Sequence, residues 1–375
     1  MSLPFVFAWN PTMSTNGDIT ALARPEIRSL KAYVPAIYKD GLVRLNANEA
    51  PWTSGTDDSA RGLNRYPPAR PSALTAALAS HYDVTAEQVF VTRGSSEAID
   101  LLIRCFCRPG LDEIVICPPT FGMYKVYADI QGASVREIPL IERIDGLQLD
   151  TQEIIERWTG VSRLVFVTTP NNPTGGAIAI DDIQRLANAL TGRGIVVIDA
   201  AYIEFATSDE LMVLANRPNI VILRTLSKAY GLAGARCGAL IAHPDVVSLV
   251  ARVMPPYSMP TPSMETALAA LVEETHKVMP ERIARLIEER EQLAAALDQL
   301  PCVVRVWPSD ANFLLVEFTD PTAAIRMAED NGFLLRDFSN GIGTENCLRI
   351  TVGGESDNRE LLSALQKLTS SGATP

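Results

Sequence analysis

The stretch RTLSKAYGLAGARCG, residues 224–238, decides the fold predicted for this chain. It overlaps the end of an apolar, β-branched run and then becomes rich in glycine and small residues, as when a strand ends in a loop. Lys228 stands in this loop close to two hydroxyl side chains, and Arg236 follows eight residues later. A solvated surface lysine needs no such setting. We therefore interpret the stretch as a strand end that presents a reactive lysine.

Short apolar strands and helices alternate around this stretch. Helix-like runs such as PSALTAALASHY and IDDIQRLANALTG lie between the strand candidates. The candidates are QVFVT, EIVIC, SVREIP, RLVFVTT, GIVVID, IVILRT and GALIA. This alternation is typical of a mostly parallel sheet covered by helices on both faces. The predicted fold class is α/β, with a large domain built on a mostly parallel sheet.

The C-terminal third has a different pattern. A long charged helix, ERIARLIEEREQLAAALDQL, precedes the strand candidates CVVRVW, NFLLVEF, GFLLRDF and CLRITVG and a final helix. This order predicts a smaller α+β domain, joined through the turn-rich segment MPPYSMPTPSM. The predicted organisation is an N-terminal extension and arm (1–45), a large domain (46–255) and a small domain (256–375). Prolines and a glycine in the first 18 residues predict no regular structure there, and the segment lacks the pattern of a signal peptide.

Composition excludes several classes of function. A net charge of −11 gives no basic surface for nucleic acid, and no apolar run is long enough to span a membrane. The six cysteines form no C-x-x-C pair and most lie in apolar runs, which is typical of buried thiols in a cytoplasmic protein. The three histidines lack ligand spacing, so we expect no metal site.

Ligands of open α/β sheets bind beyond the carboxyl ends of the strands. Five strand candidates deliver polar, small or aromatic residues to that edge: Gly94, Ser95, Ser96, Phe121, Asn172, Asp199, Tyr202 and Lys228. Each residue also has a structural interpretation as a helix cap, a core ring or part of a turn. Their joint arrival at one edge predicts a binding site.

Asp199 and Lys228 suggest the chemistry of this site. A carboxylate at the end of an apolar strand needs a cationic partner, which is either a protonated ring nitrogen or an arginine. A lysine amine forms a Schiff base with an aldehyde cofactor. Pyridoxal 5'-phosphate (PLP) requires such a lysine, a carboxylate for its ring nitrogen and a phosphate cradle, for which Thr225, Ser227 and Arg236 are suited. We therefore predict PLP as the cofactor.

The motifs, taken in order, resemble those of fold-type I PLP enzymes of the class I/II aminotransferase family, and most of all its histidinol-phosphate subgroup. The matching segments cover nearly the whole chain beyond about residue 18: LARPEIRSLKAYVP, LNANEAPW, NRYPP, TFGMY, PNNPTGG, DAAYIEF, RTLSKAYGLAGARCG, LLRDF and CLRITVGG. Where the subgroup often reads Asp-Glu-Ala-Tyr, this chain has Ala200 in the second position.

The resemblance implies a role for each site residue. Lys228 would carry the internal aldimine and move the proton, Asp199 would pair with the ring nitrogen, and Phe121 would stack on the ring. Asn172 and Tyr202 would hydrogen-bond the phenolic oxygen. The cofactor phosphate would be held by Gly94, Ser95, Ser96, Thr225, Ser227 and Arg236. Tyr66 would reach that phosphate in a second subunit, which implies a homodimer.

The resemblance also implies a substrate site. Arg349 would bind the α-carboxylate of glutamate or, in the histidinol-phosphate subgroup, the substrate phosphate, with Tyr33 and Arg336 as helpers and Asn172 nearby. The implied activity is ping-pong transamination between L-histidinol phosphate and 2-oxoglutarate in histidine biosynthesis. Without the resemblance, Arg336 and Arg349 fit surface ion pairs equally well.

Three alternatives follow from the same motifs. An aminotransferase for phenylalanine or tyrosine would share the cofactor site. A decarboxylase of the threonine-phosphate type would break a different bond on the same cofactor and need no oxo acid. A PLP-sensing regulator would need a basic DNA-binding segment, which the acidic charge and the short N-terminal region disfavour.

Overall fold

The computed structural model describes residues 18–36, 42–60, 62–144, 146–207 and 210–370, without the side chains of 273–276 and 369–370. The expectation that the N-terminal segment lacks regular structure lies, up to residue 17, outside the described residues. Among the described residues, no helix combines the length and the apolar composition needed to cross a bilayer.

Strands and helices alternate through the first two thirds of the chain. The helices are α1 (Pro25–Ser29), α2 (Ser72–His81), α3 (Ser95–Phe106), α4 (Met123–Gln131), α5 (Thr151–Glu156), α6 (Ile180–Ala189), α7 (Pro244–Val253), α8 (Thr261–Ala270), α9 (Glu273–Asp298), α10 (Pro321–Asp330) and α11 (Glu355–Ser370). The strands are β1 (Val89–Thr92), β2 (Glu113–Ile116), β3 (Ser134–Glu137), β4 (Ile141–Arg143), β5 (Gly146–Gln148), β6 (Ser162–Thr168), β7 (Ile195–Asp199), β8 (Ile220–Thr225), β9 (Gly238–Ala242), β10 (Val303–Val306), β11 (Phe313–Phe318), β12 (Arg336–Asp337) and β13 (Cys347–Thr351).

The large sheet has seven strands in the order β1-β9-β8-β7-β6-β2-β3. The strands from β8 to β3 run parallel, and β9 is antiparallel to both of its neighbours. Because β9 is antiparallel to both β8 and β1, β1 points the same way as β8. The carboxyl ends of β1, β6, β7 and β8 therefore lie at one edge.

Two apolar cores cover the faces of this sheet. Ile195 and Val197 of β7 pack into the core that contains α3 and α7. Val196 and Ile198 pack into the core on the other face, which contains α2 and α6. Successive strand residues point to opposite faces, so a strand buried on both sides is a continuous apolar run. This is why the central strands read as uninterrupted Val, Ile and Leu.

The small sheet is antiparallel, in the order β10-β11-β13-β12. It packs against α9, α10 and α11 through its own core. A separate apolar cluster joins this sheet to the large one, where Phe313 packs edge-on against Tyr202 with ring centroids 5.1 Å apart. The small sheet thereby lies directly beside the end of β7.

All seven strand candidates of the large sheet and all four of the small sheet coincide with observed strands. Four details differ from the sequence predictions. The segment predicted as a turn-rich joint becomes helical at Thr261, because a proline in the first helical turn lacks only an N–H that would be unpaired there. Helix α9 begins at Glu273, before the predicted start, and GFLLRDF forms only the short strand β12. The hairpin β4–β5 was not predicted.

Candidate active site

The carboxyl ends of β1, β6, β7 and β8 surround a cavity of about 210 Å³. Its lining includes ten of the residues predicted from the sequence: Ser95, Ser96, Phe121, Asn172, Asp199, Tyr202, Thr225, Ser227, Lys228 and Arg236. The parallel arrangement explains this convergence, since equivalent ends of parallel strands meet at one edge.

Asp199 is buried at the end of β7, with 3% of its surface exposed. Its Oδ2 accepts a hydrogen bond of 2.9 Å from the Tyr124 hydroxyl. Its Oδ1 has no hydrogen-bond partner among the described residues. Burial raises the pKa of Asp199 to about 6, although the Tyr124 hydroxyl and, to a smaller extent, the backbone N–H of Ala201 and the charge of Lys228 oppose the shift. One carboxylate oxygen is thus held in place while the other remains available to a cationic ligand.

Lys228 lies in the loop after β8 and reaches into the same cavity. Its Nζ is 5.3 Å from the centroid of the Tyr202 ring. Partial desolvation lowers the pKa of Lys228, and the guanidinium charges of Arg349 and Arg236 lower it further. A lowered pKa increases the fraction of neutral amine, which is the nucleophilic form.

The start of α3 and the loop after β8 form a cradle for an anion. The first N–H groups of α3 have no partners within the helix, and the residues that begin it, Ser95 and Ser96, line the cavity together with Ser227 and Arg236. Thr225 donates a hydrogen bond of 2.9 Å to Ser227, and Arg236 donates one of 3.3 Å to the same hydroxyl oxygen. Gly94 has φ +73°, and a Cβ there would lie 2.7 Å from Arg236 Nη2, so glycine keeps this cradle open.

Asn172 connects the cavity to the small sheet. Its Nδ2 donates to the Tyr202 hydroxyl oxygen at 3.4 Å, and its Oδ1 accepts from Arg349 Nη1 at 2.5 Å. Arg349 belongs to β13 and is half-buried, and desolvation lowers its pKa. Arg336 of β12 is the cross-strand neighbour of Arg349, is exposed, and lowers the pKa of Arg349 further. The two guanidinium groups thus stand next to each other beside the cavity.

Tyr66 and Tyr33 lie elsewhere within this chain. Both line a larger cleft, of about 920 Å³, together with residues of the arm. Tyr66 is half exposed and stacks on Tyr257 with ring centroids 4.8 Å apart. Its backbone N–H donates to Glu49 Oε1 at 2.8 Å, and this nearly buried glutamate also pairs with Arg44 and Arg65. The chain does not bring Tyr66 or Tyr33 to the lining of its own Lys228 cavity.

The structure adds cavity residues that sequence reasoning missed. Thr168, Ala201 and Ala233 line the cavity, and Tyr124 contacts Asp199 from behind it. Thr168 could have been found, because it ends β6 and is the register partner of Asp199. Tyr124 follows Phe121 by about one helical turn in the quoted motif TFGMY, which was the available signal.

The family model described as aminotransferase class I and II matches residues 43–365. The chain belongs to the class I and II aminotransferase family. A curated relative from Stenotrophomonas maltophilia, a histidinol-phosphate aminotransferase, is 43% identical over 93% of this chain and 96% of its own. The resemblance deduced from the motifs is therefore confirmed.

Solved structures show the same fold at much lower sequence identity. The histidinol-phosphate aminotransferase from Clostridium acetobutylicum superposes with a TM-score of 0.74 at 22% identity, covering 82% of this chain and 92% of that one. The enzyme from Sinorhizobium meliloti, solved in complex with pyridoxal 5'-phosphate, gives 0.73 at 22% identity, covering 82% and 84%. The predicted fold class, that of fold-type I PLP enzymes, is confirmed.

The cavity of this aminotransferase fits PLP on its own geometry. The unpaired Oδ1 of buried Asp199 suits a protonated ring nitrogen, and Lys228 suits an aldehyde. The opening kept by Gly94 beside Arg236 suits a phosphate. Asp199, Lys228 and the anion cradle line one cavity. They can therefore hold a single ligand that carries a ring nitrogen, an aldehyde and a phosphate.

Proposed function

We propose that the protein catalyses the reversible transfer of an amino group from L-histidinol phosphate to 2-oxoglutarate, with PLP as cofactor, in histidine biosynthesis. The observation that carries the proposal is the 43% identity to a histidinol-phosphate aminotransferase over nearly the full length of both chains. The Lys228 cavity supports it, since the site has the groups that such a reaction needs.

When bound, PLP supplies an aldehyde and an electron-accepting ring. We assign the ring nitrogen to Asp199, the ring face to Phe121 and the phenolic oxygen to Asn172 and Tyr202. We assign the cofactor phosphate to Gly94, Ser95, Ser96, Thr225, Ser227 and Arg236. These assignments rest on the cavity lining and on the cradle at the start of α3.

Lys228 serves as the proton carrier in this proposal. Its lowered pKa leaves a larger share of neutral amine near neutral pH, so it can take a proton from the amine-bearing carbon of the substrate. The same nitrogen would then hold that proton for transfer to the bound cofactor. Asp199 remains ionised through these steps and keeps the ring nitrogen protonated.

Arg349 and Arg336 serve the substrate anion. Two guanidinium groups that adjoin each other repel, and a doubly charged phosphate relieves that repulsion better than a carboxylate does. This favours a phosphorylated donor over phenylalanine or tyrosine. Asn172, which accepts a hydrogen bond from Arg349, belongs to the proposed substrate site. Tyr33 lines the other cleft of its own chain, and its assignment to the substrate rests on the resemblance alone.

The proposed enzyme is a cytoplasmic homodimer in which Tyr66 completes the cofactor site of the second subunit. Tyr66 is half exposed in a broad cleft of its own chain, and a network centred on Glu49 holds its backbone. A half-exposed side chain on a backbone held in this way is available to another subunit. The six free cysteines, five of them buried, support a reducing compartment.

A half-reaction tests the proposed function. The PLP-loaded protein is mixed with L-histidinol phosphate without an oxo acid, and separately with L-phenylalanine, while the visible absorbance of the cofactor is followed. Loss of the band at a much lower concentration of histidinol phosphate is expected. A stronger response to phenylalanine would instead identify an aromatic aminotransferase, and carbon dioxide release without an oxo acid would identify a decarboxylase.

A mixing experiment tests the shared site. Tyr66→Phe and Lys228→Ala chains are each expected to be impaired alone. In mixed dimers, one of the two sites combines an intact Lys228 with an intact Tyr66, so random mixing restores activity at about a quarter of all sites. Mixtures no more active than the average of the separate variants would refute the sharing of Tyr66.

A further inference from the structure

A directional chain of hydrogen bonds ends on the carboxylate of Asp199. The Tyr124 hydroxyl donates to Asp199 Oδ2 at 2.9 Å. The same hydroxyl oxygen lies 2.7 Å from Thr168 Oγ1, which in turn lies 3.1 Å from Thr120 Oγ1. None of these hydroxyl groups has been given a role in the proposed reaction.

The polarity of the chain follows from counting protons. Each hydroxyl carries one proton, and an ionised carboxylate only accepts. The Tyr124 proton is committed to Asp199, so Thr168 must donate to Tyr124. The Thr168 proton is then committed as well, so Thr120 must donate to Thr168. Hydrogen bonds that point the same way polarise one another, so the two bonds that precede Tyr124 strengthen it as the last donor.

Packing fixes the position of that last donor. The Tyr124 side chain is fully buried, stacks on Phe166 at a centroid distance of 4.6 Å and meets Phe121 edge-on at 5.6 Å. Burial and the nearby Asp199 charge raise the pKa of Tyr124 well above its ordinary value. The hydroxyl therefore remains protonated and can serve as a permanent donor.

We propose that Tyr124, supported by Thr168 and Thr120, is a positioning residue that holds Asp199 ionised with Oδ1 directed at the ring nitrogen of the cofactor. The inference rests on the proposed function in one respect, that the cofactor is PLP. It does not depend on which amine is the substrate. A buried carboxylate without this donor would favour its neutral form, which cannot pair with a protonated nitrogen. Tyr124 thus acts through Asp199 and touches neither cofactor nor substrate.

The test compares two ligands of the cofactor-free full-length protein. One is PLP, and the other is the analogue in which a C–H group replaces the ring nitrogen. For Tyr124→Phe, the dissociation constant of PLP is expected to rise about tenfold, because more of the free protein then carries a neutral Asp199 that must lose its proton before it can pair with the ring nitrogen. The dissociation constant of the analogue is expected to stay nearly unchanged, because it has no nitrogen for Asp199 to bind.

Matched variants separate positioning from general damage. Tyr127→Phe removes a hydroxyl that lies on the same helix but takes no part in the hydrogen bonds that lead to Asp199. It should leave both dissociation constants unchanged. Thr168→Val should act in the same direction as Tyr124→Phe with a smaller effect. In an Asp199→Asn background, Tyr124→Phe should add nothing, because the group through which it acts is gone.

Two results would overturn the inference. Equal weakening of PLP and the analogue in Tyr124→Phe would mean that Tyr124 only shapes the cavity. Unchanged affinity for both ligands in Tyr124→Phe and Thr168→Val would mean that the hydrogen-bond chain has no effect. A wild-type protein that binds PLP but does not respond to histidinol phosphate would refute the proposed substrate and leave this inference standing.

Discussion

Asp199→Asn should have opposite effects on the cofactor-free and the cofactor-bound protein. Burial raises the pKa of Asp199 from 3.8 to about 6 in the folded chain. The unfolded chain loses this proton at a lower pH than the folded chain, so ionisation of Asp199 destabilises the cofactor-free fold. The cost begins as the pH rises above the unfolded pKa and is complete above the folded pKa.

The size of the effect follows from the two pKa values. The difference between the folded and the unfolded pKa corresponds to a cost of about 3 kcal/mol at pH 8 and roughly half of that at pH 5. Asparagine keeps the shape and carries no charge, so it removes this cost. For a chain of 375 residues, about 3 kcal/mol corresponds to a rise in the melting temperature of about 4 °C.

Thermal melts of the cofactor-free protein at pH 8 and pH 5 measure this gain. Asp112→Asn is the matched control, because Asp112 is also buried but pairs with Arg108 at 2.7 Å and Arg163 at 2.9 Å. Burial tends to raise the pKa of Asp112, but these partners outweigh it and hold the pKa below its ordinary value. Asp112→Asn should therefore lower the melting temperature.

Bound PLP should reverse the order of the melting temperatures of the wild type and Asp199→Asn. Saturating PLP should stabilise the wild type more than Asp199→Asn, and the variant should lose most of its turnover because a neutral amide cannot keep the ring nitrogen protonated. Asp199→Asn protein that melts no higher than the wild type at pH 8 would refute the reasoning. A gain of the same size at pH 5 and pH 8 would show that it does not come from the charge of Asp199.

Two further substitutions test the assigned chemistry. Lys228→Ala should lower turnover by about 10⁴-fold or more and remove the visible band of the bound cofactor, since both depend on this amine. The control is Lys125→Ala, which removes an exposed lysine 3.5 Å from Glu137 and should leave turnover and the visible band unchanged. Arg336→Gln should raise the KM for histidinol phosphate about tenfold, because one charged hydrogen bond to the phosphate is lost. In the same steady-state assays the KM for phenylalanine should change less. Equal changes for both donors would contradict a role of Arg336 at the phosphate.

The sequence was sufficient to predict the strands and the side chains that the strand ends bring to one cavity. Each strand of the large sheet is a short β-branched run bounded by turn residues, and this pattern depends only on local composition. The lysine after β8 and the carboxylate at the end of β7 were found because the ends of parallel strands share an edge. The hairpin β4–β5 was not predicted, because its strands are only three residues long and carry no such pattern.

Contacts between distant segments could not be predicted in the same way. Tyr124 meets Asp199 across 75 positions of sequence, and Arg349 meets Asn172 across 177. Nothing in the local pattern around these residues indicates the partner, because the contact depends on how α4 packs on the sheet and how the small sheet lies against β7.

The sequence by itself therefore determined the α/β fold, the family, and the lysine and the carboxylate that we assign to the cofactor. The tertiary structure decided which oxygen of Asp199 is left for a ligand, which arginines stand together, and that Tyr66 lines a different cleft from Lys228. The physical reason is that chain order specifies residue types and periodicity, whereas pairing and burial arise only when the packed elements exclude water between them.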